Sequence, residues 1–200
     1  KNGMLFLTKD DVLNMLHDDQ VSISQSKPID QVNYRKLEKV MENNPYVEHA
    51  ELFVDASGNI QINLLQRTPI LRVINNAGVS YYIDEHARKM PLSSNFTARV
   101  PVATGNIFAG SENENKIDSV TEMKLYLLAR YISNDTFLTS LTEQIVVDDH
   151  REFALIPRIG NHTILLGDTD EMNEKFNKLK VFYKDGLNHG GWNDYSEVNL

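Results

Sequence analysis

Two stretches within the first 44 residues repeat apolar side chains at helical spacing. The first predicts a helix over residues 9–17, because one apolar stripe follows Thr8, a favourable N-cap. The second predicts a helix from Asn33 to Asn44, where the following proline ends it, since the residue before a proline disfavours helical backbone. Residues 18–30 are polar and predict a loop. The apolar face of the second helix consists of Tyr34, Leu37, Val40 and Met41.

The pattern then changes to a period of two, which is typical of strands with one buried face. Residues 45–69 predict a β-hairpin with its turn at residues 55–59. In the first strand Glu48 interrupts an apolar face that otherwise consists of Tyr46, Ala50, Leu52 and Val54. In the second strand the apolar positions are Ile60, Ile62 and Leu64. Two helices and a hairpin predict a small first domain over residues 1–68.

After residue 68 short strand-like runs dominate, and the pattern predicts a second domain over residues 69–200. This domain is expected to be mainly antiparallel with two helices, so the fold class is α+β. Residues 89–97 appear irregular in pattern. The predicted strands are residues 70–74, 79–83, 99–104, 141–148, 152–157, 162–166 and 195–200. One helix is expected around residues 117–131, and the other carries Met172, Phe176, Leu179 and Tyr183 on one face.

Composition and the absence of known motifs exclude several classes of function. The formal net charge of −8 argues against nucleic-acid binding, because neutralising phosphates requires a basic face. The absence of cysteine excludes disulfides and thiolate chemistry. No glycine-rich phosphate loop, nucleophile elbow or zinc-binding histidine spacing is present, so no catalytic residue, metal or cofactor is predicted. No run approaches 18 apolar residues, so the chain contains no predicted membrane span.

Three groups of residues allow two interpretations each. Asp148, Asp149 and Glu152 could form the carboxylate pair of a hydrolase, but an acidic turn is favoured. Residues 168–171 resemble the start of a calcium loop, but they lack its glycine and its last glutamate, so they predict an N-cap and an acidic first turn. The stripe from Met172 to Tyr183 could be a partner-binding face, but core packing is favoured.

The order of several weak motifs resembles the FtsQ/DivIB family of bacterial cell-division proteins. The resemblance starts at residues 44–52, which combine a Pro-aromatic-Val element with the following strand, and continues at the junction of residues 66–70. Further along, the matching motifs are residues 82–84 with Met90-Pro91, residues 101–105 and residues 195–200. Two positions depart from the family: Ala87 stands where a glycine is common, and Gln66 where a glutamate is common.

The resemblance implies a POTRA domain of β-α-α-β-β order followed by a larger β-domain. Met4 to Leu7 is too short to supply the whole first strand, so that strand is expected to be missing or truncated. The final strand of the family is expected to lie after Leu200. The resemblance also implies a location at the periplasmic face of the inner membrane, with a single-pass anchor outside this sequence.

A family member is expected to be a non-enzymatic divisome scaffold that recruits and links FtsB and FtsL by strand-edge binding. Its POTRA domain is expected to contact other divisome membrane proteins. Because a half-made strand exposes an unpaired edge, residues 195–200 are expected at or near a sheet edge. The partner-binding residues implied are Trp192, Tyr195, Glu197, Val198 and Leu200. Charge reversal at Glu197 or proline at Val198 is expected to weaken FtsB binding without unfolding the domain. The alternative is a POTRA-containing protein of outer-membrane assembly or secretion.

Overall fold

The computed structural model describes residues 6–17, 33–108, 116–117, 119–186 and 195–200. The described chain forms two compact units. The first unit contains residues up to Thr68 together with the later segment Leu92–Ala98. The second contains Pro69–Pro91 and the residues from Arg99 onward. The chain therefore passes from one unit to the other three times. The predicted loop at residues 18–30 and the expected first strand before residue 6 lie outside the described residues.

Both predicted helices of the first unit are present. Helix α1 is Lys9–His17 and helix α2 is Tyr34–Glu42. Thr8 caps α1 as predicted, because its hydroxyl oxygen accepts a hydrogen bond from the backbone N–H of Asp11 at 3.2 Å. The Asn33 side chain caps α2 by accepting from the backbone N–H of Lys36 at 3.1 Å. Leu37 and Met41 bury the apolar face of α2.

The predicted hairpin is also present, as strands β1 (Val47–Val54) and β2 (Ile60–Gln66). The predicted face of β1 is wrong at its beginning, because a bulge between Val47 and His49 shifts the alternation. Val47 is therefore the buried residue, with 3% of its surface exposed, while Tyr46 is only half-buried. Val54, at the end of the strand, is also exposed rather than buried.

Residues 92–98 complete the first unit. The ring of Phe96 meets the ring of Phe6 edge-on at 5.0 Å, and the ring of Tyr46 stacks on the same Phe6 at 5.4 Å. The Tyr46 hydroxyl donates to the carbonyl of Leu92 at 2.8 Å, and the Asn95 amide donates to the carbonyl of Phe6 at 3.3 Å. This segment therefore holds the beginning of the described chain in place.

The second unit is one mixed sheet of eight strands with helices packed against it. The strands are β3 (Pro69–Ile74), β4 (Ser80–Asp84), β5 (Lys89–Met90), β6 (Val102–Gly105), β7 (Thr142–Val147), β8 (Phe153–Pro157), β9 (Thr163–Gly167) and β10 (Glu197–Asn199). Their order in the sheet is β10-β9-β8-β7-β6-β3-β4-β5. Four of the seven neighbouring pairs are antiparallel, and the α+β class is confirmed.

The described part of this unit has three helices, whereas the sequence predicted two. Helices α3 (Val120–Ser133) and α5 (Met172–Val181) were expected, and a π-helical turn, Phe182–Gly186, follows α5. The unexpected helix is α4 (Thr136–Leu141), which moves the start of the next strand to Thr142. The Asp135 carboxylate stabilises α4 by accepting from the backbone N–H groups of Phe137 and Leu138.

The predicted irregular stretch over residues 89–97 is wrong at its start, because Lys89 and Met90 pair with β4 as β5. Strand β6 begins later than predicted, at Val102, and ends at Gly105 with φ +100°. A side chain there would place its Cβ 2.1 Å from the carbonyl oxygen of Val147. Gly105 is therefore required both by its backbone conformation and by the close approach of β7.

Helices α3 and α5 bury the core against one face of the sheet. Phe176 and Leu179 of α5 are fully buried, and Met172 and Tyr183 pack beside them, so the core role of this stripe is confirmed. Burial of each such side chain stabilises the unit by roughly 1.5–3 kcal/mol. The buried sheet residues opposite the helices include Leu71, Val73, Ile145, Leu155 and Ile164. Within the described residues, no helix has the length and apolarity needed to cross a membrane.

Candidate partner-binding edge

Strand β10 lies at one end of the sheet order, as the sequence predicted for residues 195–200. It pairs in parallel with β9, and the register places Glu197 beside Thr163 and Asn199 beside Leu165. Among the residues that the structure describes, no strand pairs with the outer side of β10. Within the described residues, the outer side of β10 is therefore an unpaired sheet edge.

The hydrogen bonds of β10 show which backbone groups face outward. The carbonyl of Ser196 accepts from the N–H of Thr163 at 2.9 Å, and the N–H of Leu200 donates to the carbonyl of Leu165 at 3.0 Å. Backbone groups alternate in direction along a strand, so Val198 also faces β9. The backbone N–H and carbonyl groups of Glu197 and Asn199 face the open side, where an added strand would bind.

The side chains of β10 divide between the core and solvent. Val198 and Leu200 are half-buried against the core of the second unit, whereas Glu197 is exposed. Tyr195 precedes the strand with 38% of its surface exposed, and its ring meets the ring of Phe182 edge-on at 5.1 Å. Four of the five predicted partner-binding residues therefore lie together at this edge. The fifth, Trp192, lies outside the described residues.

A buried histidine lies behind this edge, one residue before β9. Only 2% of the surface of His162 is exposed, and its Nε2 forms a hydrogen bond of 2.6 Å with the hydroxyl of Tyr183. Its Nδ1 has no hydrogen-bond partner in the described chain. Burial lowers the pKa of His162 below 6.5 and raises the pKa of Tyr183 to about 12, because both charged forms lose hydration. Burial therefore disfavours the charged form of His162, and its hydrogen bond to Tyr183 gives it a structural role in the second unit.

The predicted N-cap at residues 168–171 is wrong. The carboxylate of Asp168 accepts from the Lys124 ammonium with both oxygens at 2.7 Å, and this bond holds the pKa of Asp168 below its usual value. Glu171 occupies the cap position in a left-handed conformation and makes no side-chain cap bond. The acidic cluster therefore ties α3 to the loop before α5.

Asp148, Asp149 and Glu152 form the acidic turn that the sequence favoured over a carboxylate pair. All three residues are exposed. The Asp148 carboxylate accepts from the backbone N–H groups of His150 at 2.9 Å and Glu152 at 2.8 Å. Its hydrogen-bonding capacity therefore serves the turn between β7 and β8.

The two departures from the family motif are both accommodated. The buried carboxylate of Asp84 accepts from the backbone N–H groups of His86 and Arg88, at 2.9 and 2.8 Å, and closes the turn after β4. Ala87 adopts φ +59° within that turn, where glycine is common. The side-chain oxygen of Gln66 accepts from the backbone N–H of Phe6 at 2.9 Å, a role that an amide or a carboxylate can fill.

Sequence reasoning missed two participants at this edge. Asn199 offers its backbone to the open side, and Phe182 supports the ring of Tyr195. Which residues of β10 turn their backbone groups outward depends on how β10 pairs with β9. No pattern within residues 195–200 could therefore show that the backbone of Asn199 faces the open side. The sequence shows that residue 182 is aromatic, but it does not predict the π-helical turn after α5 that places Phe182 beside Tyr195.

Comparison with known protein families matches residues 68–200 to the family described as FtsQ/DivIB, C-terminal related. Residues 1–65 match the POTRA-like domain. A search among curated proteins found no match. The first family match covers more than half of the chain.

Proposed function

Since the chain belongs to the FtsQ/DivIB family of bacterial cell-division proteins, we propose that it is a non-enzymatic divisome scaffold that recruits FtsB-type and FtsL-type proteins. In this proposal the second unit binds a partner strand along the outer side of β10. The protein works at the periplasmic face of the inner membrane, held there by a single-pass anchor. The observation that carries the proposal is the position of β10 at the end of the eight-stranded sheet, where no described strand pairs with its outer side.

The partner strand is expected to bind by β-augmentation. The outward backbone groups of Glu197 and Asn199 supply its hydrogen bonds, because unpaired edge groups are a template for an added strand. The exposed face of Tyr195 and the carboxylate of Glu197 lie beside that strand and supply selectivity for its side chains. Trp192 is proposed as a further contact because of its position in the sequence before Tyr195.

A proline at residue 199 tests this binding mode. The N–H of Asn199 faces the open side, so Asn199→Pro removes an outward donor and leaves the hydrogen bonds to β9 intact. We expect it to weaken binding of a soluble FtsB-type segment about tenfold, which corresponds to about 1.4 kcal/mol. Titration calorimetry measures the affinity, and a thermal melt checks the fold.

Asn199→Ala is the matched control, because it changes the same side chain and keeps the N–H; its affinity should stay within about twofold of the parent. Glu197→Lys should weaken binding by charge reversal without touching the backbone. Val198→Pro differs from both, since it removes a donor that faces β9 and so detaches β10 itself. Equal affinities for Asn199→Pro and Asn199→Ala, with unchanged melts, would reject the proposed edge.

A further inference from the structure

The first unit also has an exposed strand side, along β1. Strand β1 pairs with β2 on one side, and among the described residues no strand pairs with its other side. The alternation of backbone groups along β1 turns the N–H groups of Ala50 and Leu52 toward this outer side. Without partners, these two donors would form a second open edge in the same molecule.

Both donors are occupied by carboxylates from helix α2. The N–H of Leu52 donates to Oε1 of Glu38 at 3.0 Å, and the N–H of Ala50 donates to Oε1 of Glu42 at 3.2 Å. The imidazole Nδ1 of His49 donates to the same oxygen of Glu42 at 2.8 Å. The outward donors of Ala50 and Leu52 therefore each have an acceptor, and both acceptors are side chains rather than a strand.

The spacing of the two glutamates fits the strand. Residues four apart in a helix are separated by about 6 Å along its axis, and residues two apart in a strand by about 6.8 Å. Glu38 reaches Leu52 and Glu42 reaches Ala50, so α2 runs opposite in direction to β1 and supplies one carboxylate to each of these two N–H groups. Leu37 and Met41, the neighbouring residues, bury the helix against the core and fix this alignment.

We propose that Glu38 and Glu42 close the β1 edge against strand addition, and that the partner they exclude is a second copy of this chain. Antiparallel pairing of β1 with itself is self-complementary about a twofold axis, because both copies offer the same outward groups. A register centred on Ala50 places His49 of each copy opposite Glu51 of the other. This register also avoids placing Glu51 opposite Glu51, where two like charges would repel each other.

Removal of both acceptors tests the inference. The double variant Glu38→Ala/Glu42→Ala should self-associate at least about tenfold more tightly than the parent chain in sedimentation velocity. The double variant Glu38→Gln/Glu42→Gln is the matched control, because glutamine keeps the oxygen acceptor and loses the charge; it should sediment as the parent does. Hydrogen exchange at Ala50 and Leu52 should be fast in the alanine variant at low concentration and slow once it associates.

A third variant shows whether association uses this edge. Val54 lies two residues beyond Leu52 on the same edge, so Val54→Pro added to the alanine pair should abolish the association. A folded alanine variant that stays monomeric would overturn the proposal, and so would equal association of the glutamine variant. If the double alanine variant unfolds, Glu42→Ala compared with Glu42→Gln repeats the test with one open donor, and equal sedimentation of that pair also overturns it.

Discussion

Ala87 holds a backbone conformation that glycine adopts at lower cost. Its φ of +59° lies in the left-handed region, where a Cβ costs roughly 1–2 kcal/mol. The carboxylate of Asp84 imposes this conformation, because it accepts from the backbone N–H groups on both sides of Ala87. The tight turn of the family motif therefore persists without its glycine, and the missing glycine leaves strain at one residue.

Ala87→Gly is expected to stabilise the second unit by about 0.5–1 kcal/mol. The relief of left-handed strain exceeds the greater entropy that glycine gives the unfolded chain. Urea unfolding followed by circular dichroism measures the change. Ala77→Gly is the control, because Ala77 lies in an exposed turn without a positive φ and should lose a few tenths to about 1 kcal/mol. A loss of stability in Ala87→Gly similar to that of the control would show that the turn stores no strain.

Glu122 illustrates why single residues in the core were hard to predict. Its side chain is fully buried, where it accepts from the Tyr81 hydroxyl and meets the Lys89 ammonium at 3.1 Å. A charged residue in the first turn of a helix usually faces solvent, and its two partners are more than 30 residues away in the sequence. No local pattern identifies such a cluster, because the sheet and the helix create it only when they pack.

At the scale of the element, local signals predicted most of the structure. Periodicity, caps and turn residues predict four of the helices, α1, α2, α3 and α5. They also predict the strand pairs β1–β2 and β3–β4. Helix α4 was missed because six residues contain too few turns for a periodic stripe, and β5 because two residues show no alternation. The bulge at the start of β1 depends on its pairing with β2, so the alternation of β1 alone misplaced Val47.

The order of the strands could not be derived from these signals. Strands β3, β6 and β7 are parallel neighbours in the sheet, but long segments of sequence separate them. The edge at β10 was expected from the family resemblance and from the half-made strand, and the sheet order places it there. The hydrogen bonds from β1 to Glu38 and Glu42 could not be predicted from the sequence. The only local indication is that the two glutamates are four residues apart, and many exposed helix faces have such pairs.

The hydrogen bond between His162, just before β9, and Tyr183, in the π-helical turn after α5, makes stability depend on pH. Burial lowers the pKa of His162 below 6.5, so the unfolded chain binds a proton at pH values where the folded chain does not. The stability supplied by neutral His162 is complete above about pH 6.5 and is lost progressively as the pH falls below it. The Tyr183 hydroxyl bonded to it stays protonated, because its pKa is about 12.

His162→Asn should therefore flatten the pH dependence of unfolding in this window. The free energy of unfolding, measured in urea between about pH 7 and about pH 5, should fall less steeply in the variant than in the parent. Asp135 and Asp168 do not interfere, because their pKa values lie below 3.8 and both stay charged. His150→Asn is the control, since His150 is exposed in a turn. Parallel curves for His162→Asn and the parent would contradict this account.

At the scale of the molecule, the first unit depends on residues that follow part of the second in the sequence. Phe96, Asn95 and the carbonyl of Leu92 hold Phe6 and Tyr46, and these contacts need the segment Leu92–Ala98. A fragment of residues 1–68 should be less stable than the same unit in the whole chain by about 1.5–4.5 kcal/mol, the sum of these two hydrogen bonds and this ring contact.

Native-state hydrogen exchange of α2 and β1 amides compares the two molecules. The amides should exchange faster in the fragment, and a synthetic peptide of residues 92–98 added in excess should restore part of the protection. A scrambled peptide of the same composition is the control. Equal protection in the fragment and the whole chain would show that the returning segment adds nothing to the first unit.

Because residues 92–98 are synthesised after part of the second unit, completion of the first unit is delayed during translation. The ribosome must add 30 residues, the difference between Thr68 and Ala98, after the last hairpin of the first unit before that unit has all its parts. At about 5–20 residues per second this takes about 1.5–6 s. During that interval Phe6 and Tyr46 lack their covering segment. The nascent first unit is therefore most exposed to chaperones and proteases while the strands of the second are being made.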